Sequence, residues 1–221
     1  MQDLQYIEVE TRANPTAAVI WLHGLGASGH DFEPVVPELG LPDDAAVRFI
    51  FPHAPNLPVT INGGMTMPAW YDIKAMDIDR IVDTDQLMES ARAVGKLIDR
   101  EIERGIRSEN IVIAGFSQGG AVAYELGLTY PKRLAGILAL STYFATAKTV
   151  KPAEANSAIP INIYHGTSDP MVPEALGVRS VEALKEMGFE PAYMTFPMEH
   201  SVCLEEVQEI GRFIRKYALK A

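Results

Sequence analysis

Ile111-Val112-Ile113-Ala114-Gly115-Phe116-Ser117-Gln118-Gly119-Gly120-Ala121 reads as a short apolar strand, a sharp turn carrying a serine, and the first turn of a helix. Gly115, Ser117 and Gly119 have the G-x-S-x-G spacing of a nucleophile elbow. A serine at the tip of so tight a turn is held in a strained backbone conformation. Side chains two residues to either side would collide with each other or with the neighbouring strand, and glycine removes the collision. The turn exposes the hydroxyl and aims the positive end of the helix at any anion formed beside it. A serine that merely caps a helix would fit the spacing alone. Residues 111–114, β-branched or small and apolar, supply the strand that an elbow requires.

On the N-terminal side, Ala17 to Leu22 is a continuous apolar run, the pattern of a strand buried on both faces. It ends in His23-Gly24-Leu25-Gly26-Ala27-Ser28-Gly29, whose glycines leave backbone N–H groups bare at a strand end. Asp31 to Leu39 reads as a short helix closed by Gly40, and Val47 to Phe51 as the next strand. From Pro52 to Val82 the pattern fits neither helix nor strand: prolines 52, 55, 58 and 68 and Asn62-Gly63-Gly64 interrupt an unusually apolar stretch. So long a segment is expected to be an irregular functional excursion, a wall over an apolar acyl site. Met65 and Trp70 of the excursion, with Tyr143 beyond it, are the expected substrate contacts.

Asp83 with Gln86 resembles a capping box for a helix carrying Leu87, Ala91, Val94, Ile98 and Ile102, stopped by Gly105. Beyond the elbow helix, which Pro131 ends, Leu134–Leu140, Ile159–Tyr164 and Pro191–Phe196 read as strands. Helices follow from Pro173 to Gly188 and from Val202 to Tyr217, the last with Leu204, Val207, Ile210, Ile214 and Tyr217 on one face. Alternating apolar strands and helices predict one α/β domain over residues 1–221, a mostly parallel sheet covered on both faces. Ligands bind such sheets at the C-terminal strand ends, where His23, Ser117, Ser141, Asp169 and His200 all fall.

A serine hydroxyl needs a general base, and the base needs an orienting acid. Where an elbow opens a parallel sheet the chain order is Ser, Asp or Glu, His. After Ser117 the chain holds one aspartate, Asp169, and after Asp169 one histidine, His200. Ser117 is therefore read as nucleophile, His200 as general base and acid, and Asp169 as the partner that orients the imidazole. The N–H groups of Gln118 and of Leu25, in the glycine-rich loop, are the expected oxyanion hole. His23 and His165, each before a glycine at a strand end, are expected to bind loop backbone. No metal-ligand spacing and no nucleotide loop is present, so neither metal nor cofactor is expected.

The net charge of −10 disfavours nucleic acid and anionic membrane surfaces as partners. No apolar run reaches spanning length, residues 1–6 show no basic region followed by an apolar run so that no signal peptide is expected, and Cys203 is the only cysteine. A cytoplasmic protein acting on a small-molecule ester or an acylated substrate is expected.

With these residues in view, the chain resembles the phospholipase/carboxylesterase family of α/β-hydrolases, which includes bacterial carboxylesterases and acyl-protein thioesterases. The resemblance lies in Val19–Gly26, Pro58–Gly64, Ala69–Lys74, Ala114–Ala121, Ala139–Tyr143 and Ile210-Gly211, and extends from Val19 to the C-terminus. The Pro-Val-Thr-Ile-Asn-Gly-Gly and Trp-Tyr-Asp-Ile-Lys segments are similar to the small bacterial carboxylesterases in particular. The resemblance implies the same triad and oxyanion hole, no cofactor, an excursion that shapes the acyl site, and compatibility with a homodimer. It implies hydrolysis of short- to medium-chain carboxylic esters as the first reading, with acyl-protein thioesterase or lysophospholipase as the alternative. A non-catalytic binding protein on the same fold is the reading from another class; the complete Ser-Asp-His set argues against it. Glu199 departs from the family pattern, which has glycine before the histidine; an inward-pointing carboxylate there would favour a charged imidazole.

Overall fold

A computed structural model describes residues 3–76 and 80–219. Along the chain the strands are β1 (Tyr6–Glu10), β2 (Ala17–Leu22), β3 (Val47–Pro52), β4 (Asn56–Val59), β5 (Met65–Pro68), β6 (Ile73–Ala75), β7 (Ile81–Val82), β8 (Ile111–Phe116), β9 (Gly136–Leu140), β10 (Ile161–Gly166) and β11 (Ala192–Phe196). The helices are α1 (Thr84–Glu103), α2 (Gln118–Thr129), α3 (Glu174–Glu186) and α4 (Leu204–Tyr217). A 7-stranded sheet runs in the order β1-β3-β2-β8-β9-β10-β11. Only β1 is antiparallel to its neighbour; the other pairs are parallel.

The apolar runs divide by residue parity, as a pleated strand requires. Ala18, Ile20, Leu22, Ile111, Ile113, Ile137 and Ala139 face one core, which α1, α2 and α3 cover. Ala17, Val19, Trp21, Val112, Ala114, Leu138 and Leu140 face the other, covered by α4 and the segment after β2. That segment, expected as one short helix, is two 3-10 turns, Gly29–Asp31 and Glu33–Leu39, because Pro37 withholds an N–H that an α-helix would use. Gly40 closes it in the left-handed region at φ 59°. α4 packs directly on it: a Cβ at Gly211 would stand 1.7 Å from the Leu39 carbonyl oxygen. Leu204, expected on the apolar face of α4, is 53% exposed, since the helix begins at that residue.

The excursion is more ordered than expected. β4 pairs antiparallel with β5, and β6 with β7. Residues 77–79 lie outside the described residues. Asp83 caps α1 by accepting the Gln86 N–H at 3.1 Å, but the capping box is not reciprocal. Gln86 Oε1 accepts instead from the Asp72 N–H at 2.8 Å, so the first turn of α1 holds the excursion. Asp72 in turn accepts from the Thr60 N–H and Oγ1–H, each at 2.7 Å.

Candidate active site

Ser117 stands between β8 and α2 at φ 53°, ψ −119°. Its side chain makes no capping hydrogen bond, which leaves the hydroxyl free. The flanking glycines are needed: a Cβ at Gly115 would lie 2.3 Å from Gly119 O, and one at Gly119 2.6 Å from His23 O. The elbow is anchored by the Ser117 N–H donating to Leu140 O at 2.9 Å. Gln118 opens α2, so its N–H has no acceptor within the helix. The other expected donor, Leu25, lies in the loop after β2. A Cβ at Gly24 would come within 3.4 Å of Ser117 Cβ, so that loop passes directly beside Ser117. Gly26 takes φ 75° and donates to Pro68 O at 2.8 Å, which ties the loop to the excursion.

Asp169 and His200 meet. His200 Nδ1–H donates to Asp169 Oδ2 at 2.6 Å, leaving Nε2 as the free basic nitrogen. The remaining oxygen of Asp169 accepts the N–H groups of Met171 (2.9 Å) and Val172 (2.8 Å). Burial acts to raise this carboxyl, but the His200 bond and the two N–H groups outweigh it and hold it below its ordinary value. The His200 ring lies 4.7 Å from that of Phe116, centroid to centroid. Glu199 is exposed.

Ser117, His200, Leu25 and Gln118 line one cavity of about 750 Å³. Phe32, Val35, Ile61, Met67, Ile73, Met76, Phe116, Met171, Val172 and Val202 make most of its wall apolar; Asp31 and Arg80 are its charged members. Tyr143, expected here, lines it. Met65 and Trp70 do not, and these two expectations are corrected. Met65 is 63% exposed on the β4–β5 hairpin. Trp70 is fully buried, its Nε1–H donating to His23 O at 2.9 Å. Apolar character in a loop does not say which way a side chain faces; Met67, two residues from Met65, is the one turned inward.

The sequence also hid a second role for Gln118. Its side chain accepts the Trp70 N–H (2.8 Å) and donates to Tyr71 O (2.6 Å), clasping the excursion to the elbow. His23 donates from Nδ1 to Gly24 O (2.7 Å) and accepts the Ala54 N–H at Nε2 (3.0 Å), so it is a neutral brace. Burial lowers its pKa, in keeping with that role. Among the described residues no group of three or more His, Cys, Asp or Glu side chains could hold a metal ion, and no helix is long and apolar enough to cross a membrane.

A mostly parallel sheet with a strained serine elbow, and an Asp–His pair at the same sheet edge, defines the class: an α/β-hydrolase. The chain belongs to the phospholipase/carboxylesterase family, whose sequence pattern matches residues 4–218. It is 42% identical to acyl-protein thioesterase 1 of Gibberella zeae, over 91% of this chain and 90% of that protein. It is 43% identical to acyl-protein thioesterase 1 of Neurospora crassa, over 91% and 87%. Among solved structures, Arabidopsis thaliana SOBER1 superposes with a TM-score of 0.86 at 32% identity, covering 92% of this chain and 99% of that one. The Bacillus cereus carboxylesterase, at 19% identity and a TM-score of 0.76, shares the fold; it covers 97% of this chain and 94% of its own. Membership makes the protein a hydrolase of the carboxylesterase and thioesterase type.

Proposed function

We propose that the protein is an acyl thioesterase, a serine hydrolase that removes long acyl chains from cysteine thiols of peptides or proteins. The observation that carries the reading is a mostly apolar cavity of about 750 Å³ that holds the serine elbow and the Asp169–His200 pair together. The relatives at 42% and 43% identity, both acyl-protein thioesterases, support it over the short- to medium-chain carboxylesterase first expected. Ser117 Oγ attacks the thioester carbonyl while His200 Nε2 takes its proton. The oxyanion is met by the N–H groups of Leu25 and Gln118 and by the positive end of α2, donors each worth on the order of 3 kcal/mol. The C–S bond breaks, and the thiolate leaves with the proton from His200. Water, deprotonated by His200, then releases the fatty acid from the acyl-serine. Asp169 stays ionised throughout and holds the imidazole with Nε2 towards the serine.

The test compares a palmitoyl thioester of a short cysteine peptide, p-nitrophenyl esters from acetate to palmitate and a lysophospholipid, for wild type and Ser117→Ala. We expect kcat/KM to be highest on the long-chain thioester, and every activity to vanish in the variant. A short-chain ester optimum with poor thioester turnover would return the carboxylesterase reading. Preference for a lysophospholipid would favour the third family activity. Absence of turnover on all substrates would leave a ligand-binding protein.

A further inference from the structure

The turn from Asp169 to Val172 is held from two sides. Asp169 itself takes the N–H groups of Met171 and Val172. The carbonyl groups of the same two residues are each taken by a side chain from elsewhere. His165 Nε2–H donates to Val172 O at 2.8 Å, and an Arg80 Nη2–H donates to Met171 O. A carbonyl only accepts, so the His165 proton sits on Nε2. Its Nδ1 is buried without a hydrogen-bond partner, so the ring is neutral. It fits there because residue 177 is glycine: a Cβ would stand 2.6 Å from that nitrogen. Arg80 is anchored as well, its guanidinium 4.8 Å over the Tyr143 ring, whose hydroxyl bonds Tyr71 OH at 2.8 Å.

We propose that His165 and Arg80 are positioning residues for the reaction: by fixing the two carbonyl groups of this turn, they fix Asp169 against His200. The proposal rests on the reading of Asp169 as the triad acid. The N–H bonds inside the turn make it rigid, and the Asp169 N–H, donating to Gly166 O at 3.4 Å, holds its first residue. The two carbonyl bonds tie it to β10 on one side and to the excursion on the other. The Asp169–His200 bond is short and direct, and misplacement by about 1 Å in such a site costs up to roughly 100-fold in rate. Because Arg80 also lines the cavity, it links the acyl wall to the acid.

The experiment uses the full chain with Arg80→Met, Arg80→Lys, His165→Leu and His165→Gln. The readouts are the rate of Ser117 phosphonylation by a small fluorophosphonate lacking a long chain, and kcat and KM over the ester series. Arg80→Met and His165→Leu should each slow phosphonylation and lower kcat at every chain length by about tenfold or more, with KM within about twofold. Arg80→Lys and His165→Gln keep a donor and should recover most of the loss, which a purely structural role would not predict. If His165→Leu does not fold, Arg80→Met decides. Phosphonylation and kcat within twofold of wild type in Arg80→Met would overturn the proposal. So would a loss confined to KM for long chains, which would make Arg80 a wall residue only. Failure of wild type to be phosphonylated at all would instead sink the serine-hydrolase reading, and this proposal with it.

Discussion

Ser117 occupies φ 53°, ψ −119°, a region that costs an L-residue on the order of 1–3 kcal/mol and costs glycine little. Under the proposed mechanism, catalytic need and stability therefore conflict at this residue. Ser117→Gly should stabilise the fold by about 1 kcal/mol while abolishing hydrolysis; Ser117→Ala should abolish hydrolysis without that gain. Urea denaturation of the two variants beside wild type checks both. If Ser117→Gly proves less stable than Ser117→Ala, the elbow is not strained. Gly119→Ala is the converse case. Its methyl would meet the Leu22 and His23 carbonyl oxygens at 2.7 and 2.6 Å, backbone that cannot rotate away. It should cost roughly 1–3 kcal/mol in the same assay. At this scale spacing and chain order pointed to Ser117, Asp169 and His200, and the structure joins Asp169 to His200 and places Ser117 and His200 in one cavity. His165 was legible as a side chain that binds loop backbone, though not which turn it holds; Gln118 as a clasp and Arg80 as an anchor could not be read that way. Their partners are backbone groups brought near only by the fold, Arg80 and Met171 being 91 positions apart.

Among the elements, α4 carries an unexpected buried carboxyl group. Glu206, in its first turn, is fully buried with neither carboxylate oxygen hydrogen-bonded. Burial pushes its pKa up to about 8, against a smaller opposing effect of the Cys203 backbone. The folded protein thus keeps this proton over a range, from about 4.5 to about 8, in which the unfolded chain releases it. The contribution of the group is intact below about pH 4.5 and is lost as pH rises through 8. Glu206→Gln should therefore gain stability relative to wild type between pH 5 and pH 8. The denaturation midpoints of the two proteins at both pH values measure this, and parallel pH dependence would refute it. The long elements were legible because parallel strands buried on both faces are written as unbroken apolar runs, as in Ala17–Leu22 and Gly136–Leu140. The excursion was not. Its strands span two to four residues and include Pro58 and Pro68, which strand patterns exclude.

Across the whole molecule, labour is divided between the sheet and the excursion. The sheet edge carries Ser117, Asp169 and His200. The excursion supplies Ile61, Met67, Ile73, Met76 and Arg80 to the cavity, and is tied to the segments at the sheet edge by the Gln118 clasp, Trp70 Nε1–H to His23 O, Gly26 N–H to Pro68 O, the Tyr71–Tyr143 hydroxyl bond and Arg80. Acyl-chain preference should then be adjustable from the excursion without touching the chemistry. Ile61 is a suitable site, half-buried in a single 3-10 turn of the wall. Ile61→Trp would fill space that an acyl chain needs. Each methylene left unburied costs about 0.8 kcal/mol, so losing room for three of them should lower kcat/KM on palmitoyl substrates roughly 50-fold. Acetate and butyrate esters, too short to reach the filled volume, should keep kcat/KM within about twofold, because the elbow, the oxyanion donors and the acid turn are unchanged. The ester series used for the wild type reads this directly. A uniform loss at every chain length would mean that the wall and the triad move as one body, and that chain preference is not separable from catalysis in this protein.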